Sequence, residues 1–305
     1  MSKENKKNSS PRHLKRVAVL PSLVTLANAL FGFAAIHFAA RGMNEPHLLW
    51  LNKPELTFFA AAAWMIVLAM IADAMDGFVA RKSGGTSDFG GQLDSLSDVI
   101  SFGVAPAFLT LRVVESGLKE IFEPASPLFG SLPGKLLWLV AAMYVCCAAL
   151  RLARFNVENS PDESSHLKFK GLPSPAAAGT IAALVLLYSD LVPELQKGSP
   201  AVAQFSSTVI IYILPFILAM VAILMVSTVP FTHVVNQYLK GRKPFGYVVL
   251  LVFLWLLIFW KPQLTLTIAS LIYLASGLLP WLGQKFIKRK DIPSEPEEQS
   301  DDPCQ

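Results

Sequence analysis

Charge is what this chain has least of. Only 16% of its 305 residues are Asp, Glu, Lys or Arg, where a soluble domain carries about 25%. The deficit argues against an ordinary water-soluble fold, because the apolar residues that replace charge are gathered into long runs. Cysteine is nearly absent too. Cys146 and Cys147 are adjacent inside an apolar run, and Cys304 lies in the tail. That set excludes a disulfide framework and reads as small packing residues plus a free thiol. Cys304 is penultimate, which excludes a C-terminal prenylation box. The first apolar run lacks a small-residue cleavage site, so it reads as a span and not as a removable signal. No internal repeat is visible. The net charge of +4 says little alone. Its basic N-terminal part (Lys3, Lys6, Lys7, Arg12, Lys15, Arg16) reads as the cytoplasmic flank of a span, and no nucleic-acid partner is expected.

What is present is a 53% hydrophobic composition with a mean hydropathy of +0.48. The apolar runs are long enough to cross a hydrocarbon core of about 30 Å as helices. They predict an all-α, polytopic transmembrane helix bundle of about eight spans, near 20–41, 57–80, 92–113, 134–154, 173–193, 207–228, 245–260 and 263–283. The third is weakest in hydropathy because Asp94 and Asp98 open it. Of the 26 basic residues, seven (Arg41, Lys53, Arg112, Lys119, Lys135, Lys197, Lys261) fall in one set of alternate loops, and the rest fall in the other. The positive-inside rule then puts both termini in the cytoplasm, together with the junction of spans two and three.

That junction carries the chemistry. It reads Asp73-Ala-Met-Asp76-Gly77-Phe-Val-Ala80-Arg81, eight further residues, then Gly90-Gly-Gln-Leu-Asp94-Ser-Leu-Ser-Asp98. Asp73, Asp76, Gly77 and Ala80 share one helical face, and Asp94 and Asp98 share another. Two antiparallel helices joined by a short loop can bring the four carboxylates together. A charge at membrane depth costs roughly 2.5–3.5 kcal/mol even on a lenient scale, and only Arg81 and Lys82 lie between the pairs. Hard divalent cations are the natural partners, and two Mg²⁺ or Mn²⁺ would balance four aspartates. Paired cations are a recurrent solution to phosphoryl transfer. The rival reading is an ion pathway, as in a divalent-cation transporter. Gly77 and Ala80 leave either a groove for a ligand or a seam for helix packing. Gly90 allows a turn. His37 reads as a packed polar residue.

The string Asp-x2-Asp-Gly-x2-Ala-Arg-x8-Gly-x3-Asp-x3-Asp, met at every fixed position from Asp73 to Asp98, resembles the signature of the CDP-alcohol phosphatidyltransferases. The resemblance implies a core of six transmembrane helices, a homodimer and a two-metal site on the cytoplasmic side. It implies that Asp73, Asp76, Asp94 and Asp98 are metal ligands, with Asp98 also the general base, and that Gly77, Ala80, Arg81 and Gly90 contact CDP. The family often opens span one with Pro-Asn-x-x-Thr. Here the segment is Pro21-Ser22-Leu-Val-Thr25, with Asn28 following. Thr25 and Asn28 are candidates for CDP contact or for hydrogen bonds to a neighbouring helix.

Three further segments resemble the members that put L-serine on CDP-diacylglycerol and release CMP. They are Ser101-Phe-Gly-Val-Ala-Pro106, Arg151-Leu-Ala-Arg154-Phe-Asn156 and Gly171-Leu-Pro173-Ser174-Pro175. Serine carries a carboxylate, and Arg151 and Arg154 close span four at the depth of the aspartates. An arginine fork suits that carboxylate, while positive-inside anchoring explains the pair equally well. Glycerol 3-phosphate and inositol are the alternative acceptors. The expected organisation is a basic N-terminal segment at 1–19, a catalytic membrane core at 20–228, additional helices at 229–285 and a disordered acidic tail at 286–305. The expected setting is a plasma (inner) membrane, among membrane lipids, with the active site facing the cytoplasm.

Overall fold

The computed structural model describes residues 19–43, 57–83, 88–121, 131–158, 171–229, 231, 257 and 260–290. Among these residues, seven helical stretches are long and apolar enough to cross a membrane. They are α1 (Val19–Arg41), α2 (Phe58–Ser83), a composite third span, α5 (Leu132–Glu158), α6 (Ser174–Gly198), α7 (Pro200–Val226) and α8 (Pro262–Lys290). The composite span joins α3 (Asp88–Asp98), a π-helical segment (Val99–Val104) and α4 (Ala105–Ile121). The all-α bundle expected from hydropathy is what forms, and no strand occurs among the described residues. The span expected at 245–260 lies almost wholly outside those residues. The last helix runs to Lys290, five residues into the segment assigned to the tail.

Small residues let the helices approach closely, as membrane packing requires. Ala35 and Ala39 of α1 and Ala62, Ala63 and Ala69 of α2 are fully buried against one another's helices. A Cβ on Gly32 would meet Ser101 Oγ at 2.4 Å, so α1 lies hard against the π segment. The opposite faces carry exposed Leu30, Phe33, Phe205 and Phe216. That outward apolar surface suits lipid, where backbone groups are already satisfied within helices.

Two irregular features set the geometry of the half of the bundle that carries Asp98. The first is the π segment directly after Asp98. Pro106 has no N–H to give the Phe102 carbonyl four residues back, so a regular helix would orphan that acceptor. The hydroxyl of fully buried Tyr144 on α5 donates to Phe102 O at 3.1 Å instead. Such π segments frequently sit beside functional sites. The second is the turn before α6. Gly171 has φ +97°, a conformation that favours glycine. Its N–H donates to Val229 O at 2.9 Å, and Leu172 N–H donates to Leu224 O at 3.0 Å. The turn is thereby tied to the end of α7, and it delivers Ser174 to the start of α6.

Candidate active site

The last turns of α2 and the whole of α3 bring the sequence-predicted carboxylates together. Asp73, Asp94 and Asp98 each offer an oxygen, and these oxygens lie within 4.8 Å of one another. Asp76 is not in that trio. It lies within electrostatic range of Asp73 and Asp94 and accepts a hydrogen bond from the Thr25 hydroxyl. Asp76 and Asp98 are only 7% and 8% exposed, so water screens them poorly. Thr25 and Asn28 of α1 thus make the hydrogen bonds to neighbouring helices that the sequence left as one of two options. Asn28 Nδ2 donates to Asp98 Oδ1 at 3.1 Å. Ser101 Oγ donates to the Asn28 carbonyl at 2.9 Å, tying the same pair of helices a turn further on.

This donor set fits a hard cation. It consists of carboxylate oxygens that cannot relieve one another's charge, because none can donate while ionised. Asn28 Oδ1 is also buried without a hydrogen-bond partner, an oxygen left free beside the cluster. Oxygen-only sets of this kind select Mg²⁺, Mn²⁺ or Ca²⁺ over softer metals.

Arg151 stands opposite the carboxylates. Asn156 Nδ2 donates to Ser95 Oγ at 2.8 Å, and Tyr144 bonds Phe102. These two links fix an antiparallel register between α5 and the third span that sets Arg151 at the depth of Asp98. The guanidinium lies within electrostatic range of Asp98, and its Nη1 donates to Ser174 Oγ at 2.9 Å. Arg151 Nε is buried without a partner. Arg154, three residues on, is exposed. The two arginines expected to act together therefore differ in setting. Gly77 and Gly90 are partly exposed near the carboxylates on their helices. Ala80 and Arg81 continue the helical backbone of α2, and their side chains lie outside the described residues.

Sequence reasoning missed Ser174 as the partner of Arg151, Tyr144 as the donor to the broken helix, and Asn156 as the clamp on Ser95. Pro106 was the available signal for the second, since a proline inside a span calls for a donor from elsewhere.

Comparison with known proteins gives the chain its relatives. A family model described as CDP-alcohol phosphatidyltransferase matches residues 18–282. A Helicobacter pylori protein named CDP-diacylglycerol-serine O-phosphatidyltransferase is 30% identical over 264 residues, covering 87% of this chain and 91% of that one. A protein of the same name from Methanocaldococcus jannaschii is 36% identical over 166 residues, covering 54% of this chain and 59% of that one. A Methanothermobacter thermautotrophicus protein named archaetidylserine synthase is 35% identical over 193 residues, covering 62% and 67% respectively.

Proposed function

This chain belongs to the CDP-alcohol phosphatidyltransferase family, and we propose on that premise that it transfers a phosphatidyl group from CDP-diacylglycerol to L-serine, releasing CMP. The observation that carries the reading is the meeting of Asp73, Asp94 and Asp98 with Arg151 at the depth of Asp98. Groups that hold a diphosphate's cations stand beside a group that holds a carboxylate. Membership in a transferase family takes the place of the cation-transporter alternative.

Asp73, Asp94 and Asp98, with Asp76 beside them, would hold Mg²⁺ or Mn²⁺, two ions in the full complement, which when bound neutralise the diphosphate and the charge growing on CMP. Asp98 takes the proton of the serine hydroxyl as that oxygen bonds to the β-phosphorus. The bond from phosphorus to the CMP oxygen breaks, and CMP leaves with the electron pair. The Arg151 fork binds the serine carboxylate, which fixes the hydroxyl's approach. Ser174 Oγ accepts from one arm of the guanidinium, which lies within electrostatic range of Asp98. Arg154 adds positive potential at the exposed mouth. Gly77, Ala80, Arg81 and Gly90 flank the CDP moiety. Thr25 and Asn28 serve CDP binding through the carboxylates they hold.

The enzyme sits in the plasma membrane with its termini and site on the cytoplasmic side, a reading supported by the uneven distribution of basic residues. It works as a homodimer, as the family resemblance implies. Residues 20–228 form the catalytic core, the additional C-terminal helical segment runs from 229 to the end of α8 at Lys290, and the acidic tail follows it.

The test is CMP release from CDP-diacylglycerol in the presence of L-serine, glycerol 3-phosphate, inositol or no acceptor. Serine-dependent release, abolished in Asp98→Asn, is expected. Release that follows another acceptor, or that survives in Asp98→Asn, overturns the reading.

A further inference from the structure

We infer that Tyr273 of α8 is a positioning residue for the acceptor subsite, holding the Arg151 guanidinium in place and so setting the affinity for the acceptor's carboxylate. The inference rests on the assignment of Arg151 to that carboxylate.

The register between α6 and α8 supplies the geometry. Thr267 Oγ1 donates to the Ala183 carbonyl at 2.9 Å. Nearer the opposite face, Lys261 Nζ reaches Glu194 at 3.1 Å and Asp190 at 3.7 Å. The helices are therefore antiparallel. Moving six residues along each from the Thr267–Ala183 contact brings Tyr273 opposite Ala177. Ala177 lies one turn from Ser174, the residue that Arg151 grips. The guanidinium lies within electrostatic range of the Tyr273 phenol as well as of Asp98. Ser174 thus takes one arm of Arg151 from α6, and the Tyr273 phenol stands within electrostatic range of the same group from the α8 side.

Packing fixes the ring. Tyr273 lies against Phe231 with centroids 5.8 Å apart and planes at 35°. One turn further along α8, Gly277 leaves the space that Phe231 fills, since a Cβ there would meet the Phe231 ring at 2.2 Å. Leu274, beside Tyr273, is buried in the cluster formed by α5, α6 and α7. Tyr273 itself packs partly buried against that cluster. A phenol held this way presents a fixed dipole to a cation whose Nε is buried without a hydrogen-bond partner.

The test is Tyr273→Phe, which keeps the ring and removes only the hydroxyl. Steady-state kinetics should show a KM for L-serine raised about tenfold, the scale of a lost polar contact to a charged group. The KM for CDP-diacylglycerol, kcat and the thermal unfolding midpoint should each stay close to wild type. In the Arg151→Lys background, Tyr273→Phe should add little, because both substitutions act through one group. An unchanged KM for L-serine in Tyr273→Phe, beside a raised one in Arg151→Lys, overturns the inference and leaves the acceptor reading standing. A KM for L-serine unchanged in Arg151→Lys overturns that reading and the inference with it. Equal rises in both KM values with a lowered unfolding midpoint make Tyr273 a scaffold residue and also overturn the inference.

Discussion

Replacing Asn28 by Leu removes a single amide from α1 while roughly keeping its volume, and the structure says what that amide does. Its Nδ2 donates to Asp98 Oδ1 at 3.1 Å, Asn28 is fully buried, and Asp98 is 8% exposed. Water cannot take over the lost donor at such a site. A hydrogen bond to a charged group contributes about 1.5–3 kcal/mol, and each 1.4 kcal/mol is a factor of ten. The expected consequence is therefore a cation requirement raised about 10- to 100-fold, the range found when an outer partner of a metal-binding carboxylate is removed. The assay is CMP release titrated with Mg²⁺ or Mn²⁺ at saturating substrates. The half-saturating concentration should rise, and excess cation should restore most of the rate, because Asp73, Asp94 and Asp98 all remain. A half-saturating concentration within twofold of wild type would refute the reasoning, since Asn28 would then be packing against Asp98 without supporting it.

Two further substitutions test the irregular features that place the site. Tyr144→Phe leaves the Phe102 carbonyl without its donor in a fully buried position. It should cost about 1–3 kcal/mol, read as a lower unfolding midpoint in detergent, and unchanged stability would mean that the π segment satisfies itself. Gly171→Ala puts a Cβ 2.5 Å from the Met225 carbonyl at φ +97°. It should destabilise by more than about 1 kcal/mol and raise the KM for L-serine by shifting Ser174. A neutral effect on both would contradict the tie between the turn and the acceptor subsite.

Much of the architecture was legible because membrane physics writes in long strokes. A run of apolar residues of spanning length has few alternatives to a helix. The carboxylate trio was legible for a local reason. Asp94 and Asp98 are one turn apart, and Asp73 lies about three turns before the end of α2, so helix periodicity and a short connection bring them together. What the sequence left open is which residues far apart in the chain pair with one another. Tyr144 reaches Phe102 across 42 residues and Asn28 reaches Asp98 across 70, and no periodic pattern announces either pair. Asp76 shows the limit of facial spacing. It shares a helix face with Asp73 and lies within electrostatic range of Asp73 and Asp94, while the Thr25 hydroxyl donates to it and its oxygens fall outside the trio. Arg151 and Arg154 are separated for a similar reason. A three-residue step at the end of α5 turns one toward Ser174 and leaves the other exposed.

The most direct measurement is Mn²⁺ binding to the purified protein, followed by electron paramagnetic resonance without any substrate. The wild type should remove free Mn²⁺ from solution saturably, and Mg²⁺ should compete. Asp94→Asn should weaken that binding at least tenfold while the protein stays folded. Wild-type protein that leaves Mn²⁺ free at millimolar concentration, or Asp94→Asn protein that binds it as the wild type does, would contradict the claim that these carboxylates gather around a cation.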